Sequence, residues 1–300
     1  MAGGLQFRAR VSGRLAAGRA RWDNAWHWRR RAGVCPPIGT GAHLAVRRWL
    51  RKCAGIDIHL VASPGSARVT KLTAAYEVDE AFNAMVDEGL ARSATGPVDR
   101  EGDGYQRVRM KAYNLQQALE QSARADGLVA ECGCFRGMSA YVLCRTLGAA
   151  SPEFRGAGVH LFDSFEGLSA LGVEDQVHDR RVPKGRVRRR AGMFSATEAD
   201  VRATLAEYPD VALHRGWIPE SLGCAPPGPY RFVHLDLDLY DPTLAALAFF
   251  HPRLAPGGVL VCDDEGAVRW PGVRVAVENY CRTAGIRPFR MSTGQAILLG

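Results

Sequence analysis

The sequence predicts an α/β fold on a mostly parallel sheet, and three observations predict it. From about Asp126 onward, short apolar runs alternate with helical patterns, as in stacked βα units. The first of these runs, Leu128–Glu131, enters a glycine-bearing turn that opens a helix. Two later runs end in clusters of aspartates, the place where open α/β sheets collect their ligands.

Taken in order, Ala74–Leu90 and Met110–Arg124 have helical periodicity and precede the sheet. Leu128–Glu131 is the first expected strand and Ser139–Leu147 the helix after it. Val159–Phe162 is the second strand. Thr197–Tyr208 reads as a helix opened by the capping pattern Ser195-x-x-Glu198. Val211–His214 is a third short strand and Arg231–Leu235 a fourth, followed by a helix over Thr243–Phe250. Pro256-Gly257-Gly258 reads as a turn before the strand Val259–Cys262. Gly272–Ala284 is helical. Pro288–Ser292 and Ala296–Leu299, either side of Thr293-Gly294, read as an antiparallel hairpin. Segment 172–192 shows no periodicity, carries seven Arg and Lys residues and reads as a surface loop.

The net charge of +8 is uneven. Residues 1–60 hold twelve Arg and Lys against two Asp, a net +10, which leaves −2 for the other 240 residues. The basic character therefore belongs to an N-terminal extension, and no base-stacking or groove-reading element points to nucleic acid. The extension is Arg-rich and acid-poor like a transit peptide but has no secretory apolar core, and it is expected to be a poorly ordered tail over residues 1–70. Trp22, Trp26 and Trp28 beside Arg29–Arg31 would suit contact with an anionic membrane surface, a weaker alternative. No run is long and apolar enough to span a bilayer. The eight cysteines form no C-x-x-C pair and several lie in apolar runs, which points to a reducing, cytoplasmic setting and no zinc site.

Two constellations carry chemistry. The first is Glu131-Cys132-Gly133-Cys134-Phe135-Arg136-Gly137-Met138-Ser139. Gly133 and Gly137 fit a turn where backbone approaches a ligand closely. The helix N-terminus behind it, with the Ser139 hydroxyl, suits a carboxylate such as that of methionine, and Glu131 suits an ammonium. This is not the dinucleotide fingerprint. Asp163, with Ser164 beside it, ends the second strand, where an acid commonly holds ribose hydroxyls. Gly216 and Trp217, past the third strand, are a candidate adenine wall, though the indole fits a core equally well.

The second constellation is acidic. Asp236 and Asp238 end the fourth strand, and Asp263 and Asp264 end the fifth. Strands about 4.8 Å apart would bring Asp236 within a few ångströms of the Asp263–Asp264 pair. Carboxylates that close either stay protonated or hold a cation, and an all-oxygen set suits Mg²⁺, or Mn²⁺ in its place. A cation there lowers the pKa of a bound hydroxyl, with Asp238 placed to take the proton. His214 and His234 are other candidate bases, though a histidine in an apolar strand is more often a satisfied core residue.

Together these segments resemble the macrocin O-methyltransferase family, metal-dependent enzymes that methylate sugar hydroxyls in macrolide and aminocoumarin antibiotic pathways. The resemblance rests on AECGCFRGMSA, HLFDSFEGL, HRGWIPESL, FVHLDLDLYDPTLAAL, HPRLAPGGVLVCDDEG and WPGVRVAVENY, and covers about residues 105–300. It implies a Rossmann-like class I methyltransferase fold: a seven-stranded sheet with an antiparallel C-terminal hairpin and helices on both faces, occupying 71–300 with a helical cap over about 71–125. It implies S-adenosylmethionine as cofactor, with Glu131, Gly133 and Ser139 on its methionine part and Asp163 on the ribose. It implies Mg²⁺ on Asp236, Asp263 and Asp264, with Asp236 and Asp238 catalytic, and a small glycosylated acceptor. A homo-oligomer is compatible with it. Catechol-type relatives place a lysine base where this chain has Leu239. Glu265 stands where an aromatic residue usually follows the aspartate pair, a position expected near the acceptor. A competing reading takes Asp236-Leu237-Asp238 as the D-x-D of a nucleotide-sugar glycosyltransferase, and another takes the chain as a cofactor-binding module without turnover. The first leaves the glycine turn and the Asp263–Asp264 pair unexplained.

Overall fold

The computed structural model describes residues 56–60, 67–71, 79–94, 96, 100, 103–176 and 189–300. The chain divides into two units, Met1–Leu72 and Thr73–Gly300. In the first, β1 (Ile56–Leu60) and β2 (Ala67–Lys71) pair antiparallel, a hairpin inside the stretch read from sequence as an extension. The rest of that extension, the tryptophan cluster included, lies outside the described residues, as do positions 177–188 of the basic loop.

The second unit begins with α1 (Glu80–Ser93) and α2 (Asp103–Gln121). The Asp79 carboxylate caps α1 by accepting from the Phe82 N–H at 2.9 Å. Then follow β3 (Leu128–Cys132), α3 (Met138–Ala150), β4 (Val159–Asp163), α4 (Glu198–Thr204), β5 (Ala212–Arg215), β6 (Tyr230–Leu235), α5 (Tyr240–Phe250), β7 (Leu254–Cys262), α6 (Pro271–Ala284), β8 (Phe289–Arg290) and β9 (Ala296–Leu299). The sheet order is β5-β4-β3-β6-β7-β9-β8. β3 to β7 pair parallel, and β9 runs antiparallel to β7 and to β8.

Parallel strands covered on both faces read as continuous apolar runs, and the core shows why. Val129, Val159, Leu161, Phe232, Val259 and Val261 pack on one face against Val86, Leu115 and Tyr141 of α1, α2 and α3. Ala130, Phe162, Val233, Leu235 and Leu260 pack on the other against Leu247 and Phe250 of α5 and Val273 and Val277 of α6. The result is three layers, α/β/α, with the strand order changing direction at β3 and β6.

Three local expectations are corrected. The capping box forms two residues later than expected: Thr197 Oγ1 accepts from the Asp200 N–H and the Asp200 carboxylate accepts from the Thr197 N–H. The helix it opens ends at Thr204. Pro256-Gly257-Gly258 is not a turn before β7 but lies within it, where Tyr230 pairs with Leu254 and Phe232 with Val259, so the extra residues bulge from the ladder. The helix expected from Ala74 starts at Glu80, with positions 74–78 outside the described residues. Among the described residues no helix is long and apolar enough to cross a membrane.

Candidate active site

The site lies at the C-terminal ends of β3, β4, β6 and β7, where hydrogen bonds continue the ladder past the strands. The Gly133 N–H donates to the Phe162 carbonyl at 2.8 Å, Asp236 N–H to Cys132 at 2.9 Å, and Asp263 N–H to Leu235 at 2.7 Å. Gly133 has φ +83°, and a Cβ there would stand 2.0 Å from the Asp236 carbonyl oxygen. Only glycine allows the first turn and the first acid strand to cross so closely. Gly137, at φ +83°, is the left-handed residue from which α3 starts. The Asp163 carboxylate accepts from the N–H groups of Phe135 at 3.0 Å and Phe165 at 2.8 Å, which ties the glycine turn to the end of β4. Ser164 Oγ donates to the Gly167 carbonyl and accepts from the Glu166 N–H.

Two cavities meet here. One of about 310 Å³ is lined by Gly133, Asp163, Ser164, Gly216, Trp217 and Ile218 at one end and by Asp236, Asp238, Asp264, Phe194 and Trp270 at the other. Trp217 is therefore wall and not core, 37% exposed. The second, of about 590 Å³, is lined by Ser139, Arg136, Met138, His234, Asp263 and residues of α1 and α2. Lys111, Gly133, Phe135 and Asp236 line both. A ligand extended along the sheet edge has the strand-two acid and the indole at one end and the α3 N-terminus with Ser139 at the other, which fits an adenosine joined to an amino acid.

Glu131 is placed differently from the expectation. It is fully buried, lines neither cavity, and its Oε1 lies 2.7 Å from His234 Nδ1, while Oε2 has no protein partner. His234 Nε2 faces Asp263 Oδ1 at 3.6 Å. Burial opposes a charge on this imidazole, but the bonds and fields of Asp263 and Glu131 prevail and raise it to about 10. It is a buried partner of two acids at the wall of the second cavity. His214 lies away from the acids, 3.0 Å from His160 and stacked on Phe162.

The four aspartates do converge. Asp236, Asp238 and Asp264 offer oxygens within 4.8 Å of one another, and Asp236 and Asp263 join His234 in a second such group. Asp238 and Asp264 hold φ +60° and +61°, a left-handed conformation that aspartate tolerates better than most and that aims both carboxylates inward. At an effective dielectric of about 20, each such pair repels by about 3 kcal/mol or more. Burial, then the Asp263 and Asp264 charges, push Asp236 up to about 8; burial, then Asp236 and Asp264, push Asp238 up to about 9. Burial would raise Asp263 too, but His234 and Lys111 hold it well below the usual carboxylate range. Hard oxygen donors at this spacing match a small divalent cation, whose ligands lie about 2.1 Å from the ion. The residues present fit Mg²⁺.

The scan of family models gives a match over residues 96–291, to Macrocin-O-methyltransferase (TylF). The chain belongs to the macrocin O-methyltransferase family. Among curated relatives it is 33% identical over 180 residues to 8-demethyl-8-(2,3-dimethoxy-alpha-L-rhamnosyl)-tetracenomycin-C 4'-O-methyltransferase of Streptomyces olivaceus, covering 58% of this chain and 66% of that one. It is 28% identical to demethyldecarbamoylnovobiocin O-methyltransferase of Streptomyces niveus, covering 56% and 63%. The matches thus span just under two thirds of the length of these two relatives. Among solved structures, the O-methyltransferase NovP aligns with a TM-score of 0.57 at 20% identity, over 73% of this chain and 97% of that one. Calicheamicin methyltransferase CalS11 aligns with 0.52 at 20%, over 76% and 94%. The fold is that of class I methyltransferases.

For a member of this family, the supports of the acid cluster are what sequence reading missed. Lys111 of α2 places Nζ 2.6 Å from both Asp263 Oδ2 and Asp264 Oδ1. Gln295, fully buried before β9, donates from Nε2 to Asp263 Oδ1 at 2.7 Å, and its Oε1 accepts from Asn114 and Thr293. No local motif marks these residues; the signal available was the spacing of Lys111 and Asn114, one turn apart on one face of a helix. Glu265 lines neither cavity: it is buried and its Oε1 accepts from Arg290 Nε at 2.7 Å, so its departure from the family pattern serves the hairpin's attachment.

Proposed function

We propose that this protein transfers a methyl group from S-adenosylmethionine to a hydroxyl of a small glycosylated acceptor, with Mg²⁺ held by Asp236, Asp263 and Asp264. The observation that carries this is the convergence of Asp236, Asp238 and Asp264 on the cavity whose other end is built by Gly133, Asp163 and Trp217, with Asp263 grouped beside Asp236. The relatives' names, which include a rhamnosyl-bearing tetracenomycin methylated at 4', point to a sugar hydroxyl.

Asp163 binds the ribose hydroxyls through the lone pairs its two N–H donors leave free. Gly216, Trp217 and Ile218 wall the adenine. Ser139 and the first N–H groups of α3 take the carboxylate, with Gly133 allowing close backbone approach, Gly137 setting the helix start and Ser164 bracing the Asp163 turn. Glu131, two residues before Gly133, stands behind the cavity wall and holds His234 in place. When bound, S-adenosylmethionine supplies an electrophilic methyl on sulfur, and Mg²⁺ acidifies the acceptor hydroxyl and steadies the developing alkoxide. Asp238 accepts the hydroxyl proton at its carboxylate. Phe194 and Trp270 offer apolar faces on which a sugar ring rests and from which water is displaced.

Calorimetric titration of S-adenosylmethionine into wild type and Asp163→Ala tests the reading, with mass spectrometry of rhamnosides incubated with the protein, S-adenosylmethionine and Mg²⁺. Micromolar-range binding lost in the variant, and a product heavier by one CH₂, are expected. A folded wild type that binds no S-adenosylmethionine would overturn it.

A further inference from the structure

We propose that Lys111 is a tethered cation that holds the Asp263–Asp264 pair together in the metal-free protein and yields those carboxylates to a divalent ion. This rests on the metal reading above and adds a residue that governs it.

On the carboxylate oxygens that bond it, the ammonium stands where a metal ion would have to sit. Nζ stands 2.6 Å from Asp263 Oδ2 and from Asp264 Oδ1. Those oxygens belong to two of the three acids expected to ligate the ion. A Mg²⁺ about 2.1 Å from the same oxygens would overlap the ammonium and repel it. Among the described residues the cations whose fields reach the four aspartates are Lys111 from α2, His234 from β6 and Arg189, which acts on Asp238. Of these, Lys111 is the one whose ammonium bonds both Asp263 and Asp264, so its departure makes room there.

Lys111 has somewhere to go and α2 does not. Asn114, one turn further along, donates to Gln295 Oε1 at 2.8 Å, and Gln295 in turn donates to Asp263, so the helix backbone is fixed to the acid cluster. The lysine side chain, on a flexible four-carbon stem, lines both cavities, and the larger one of about 590 Å³ extends along α2 past Val108, Ala112 and Leu115. Rotation of the stem moves the ammonium off the carboxylates without moving the helix. Lys111 is thus a positioning residue: it keeps four crowded acids in ligating geometry, and it adds a competitor that sets how tightly the ion binds.

The chain has four lysines, Lys52, Lys71, Lys111 and Lys184, so pulsed acetylation read by peptide mass spectrometry resolves each one. The full-length protein is labelled across a Mg²⁺ titration, with Mg²⁺ binding measured by calorimetry on the same sample. Labelling of Lys111 is expected to rise severalfold, with its midpoint at the calorimetric Kd, while the other three lysines stay flat. Lys111→Met is expected to bind Mg²⁺ about tenfold more tightly or better, and a folding failure of that variant leaves the wild-type labelling as the deciding measurement. Mg²⁺ binding with Lys111 still protected overturns the inference and spares the metal reading. No Mg²⁺ binding to wild type or to Lys111→Met overturns both.

Discussion

The two ends of the first cavity are built by different means. At the Gly133–Asp163 end the geometry is made by backbone: a left-handed glycine, a carboxylate held by two N–H groups, and strand-end hydrogen bonds. At the Asp236–Asp264 end it is made by side-chain charge, balanced by Lys111, which is more than a hundred residues away in sequence, and braced by Gln295 and Asn114. Backbone-made geometry fails all at once when a residue no longer fits. Charge-made geometry fails by degrees, because each partner removed leaves the others to compensate.

The sharpest break is Gly133→Ala, which puts a methyl 2.0 Å from the Asp236 carbonyl oxygen at a φ of +83°. Because that carbonyl belongs to the first acid, the substitution should damage both ends. A loss of about 3 kcal/mol or more in denaturant unfolding is expected, together with loss of S-adenosylmethionine binding. An unchanged unfolding midpoint with full binding would show that the crossing is looser than drawn.

Asp238→Asn isolates the charged end. The amide keeps the shape but cannot take a proton, so methyl transfer should fall by about 10²–10⁴-fold while the calorimetric affinity for S-adenosylmethionine stays put. Equal turnover by the variant would remove Asp238 from the proton-accepting role. Gln295→Leu goes one layer out. It leaves Asn114 and Asp263 without their shared partner, at a cost of about 1–3 kcal/mol, and should weaken Mg²⁺ binding severalfold with S-adenosylmethionine affinity intact. If both affinities fall together, the two ends are not separable as argued.

The same division explains what could be read from sequence. The strands of the sheet announced themselves as apolar runs because both faces of each are covered, and the glycine turn and strand-end acids are local signals at fixed offsets from those runs. Lys111 was not legible, because a basic residue on an amphipathic helix looks like solvated surface until the fold sets α2 against β7. Gln295 looked like part of a hairpin turn. The capping box was placed two residues early because Ser195-x-x-Glu198 and Thr197-x-x-Asp200 match the same pattern, and only the helix start chooses between them. The bulge in β7 was hidden because Pro-Gly-Gly marks a turn in most contexts, and here the partner strand absorbs it.

The smallest effect expected lies beside the backbone-made end. His160 on β4 and His214 on β5 stand 3.0 Å apart, rings stacked, with His214 also against Phe162. Burial, then the neighbouring His214, lowers the pKa of His160, and burial lowers that of His214. A histidine held below its unfolded value of about 6.5 stabilises the fold fully above that pH. Its contribution is lost as pH falls from there toward the folded value, because the unfolded chain takes up protons first. Thermal melting should therefore drop between about pH 7 and pH 5, and His214→Phe, which keeps the stack on Phe162 and removes one titrating ring, should reduce that drop by a few degrees. A variant whose melting temperature follows the wild-type pH curve in parallel would mean the pair titrates as it does in the unfolded chain. The acids of the charged end would then be left to account for whatever pH dependence the protein shows.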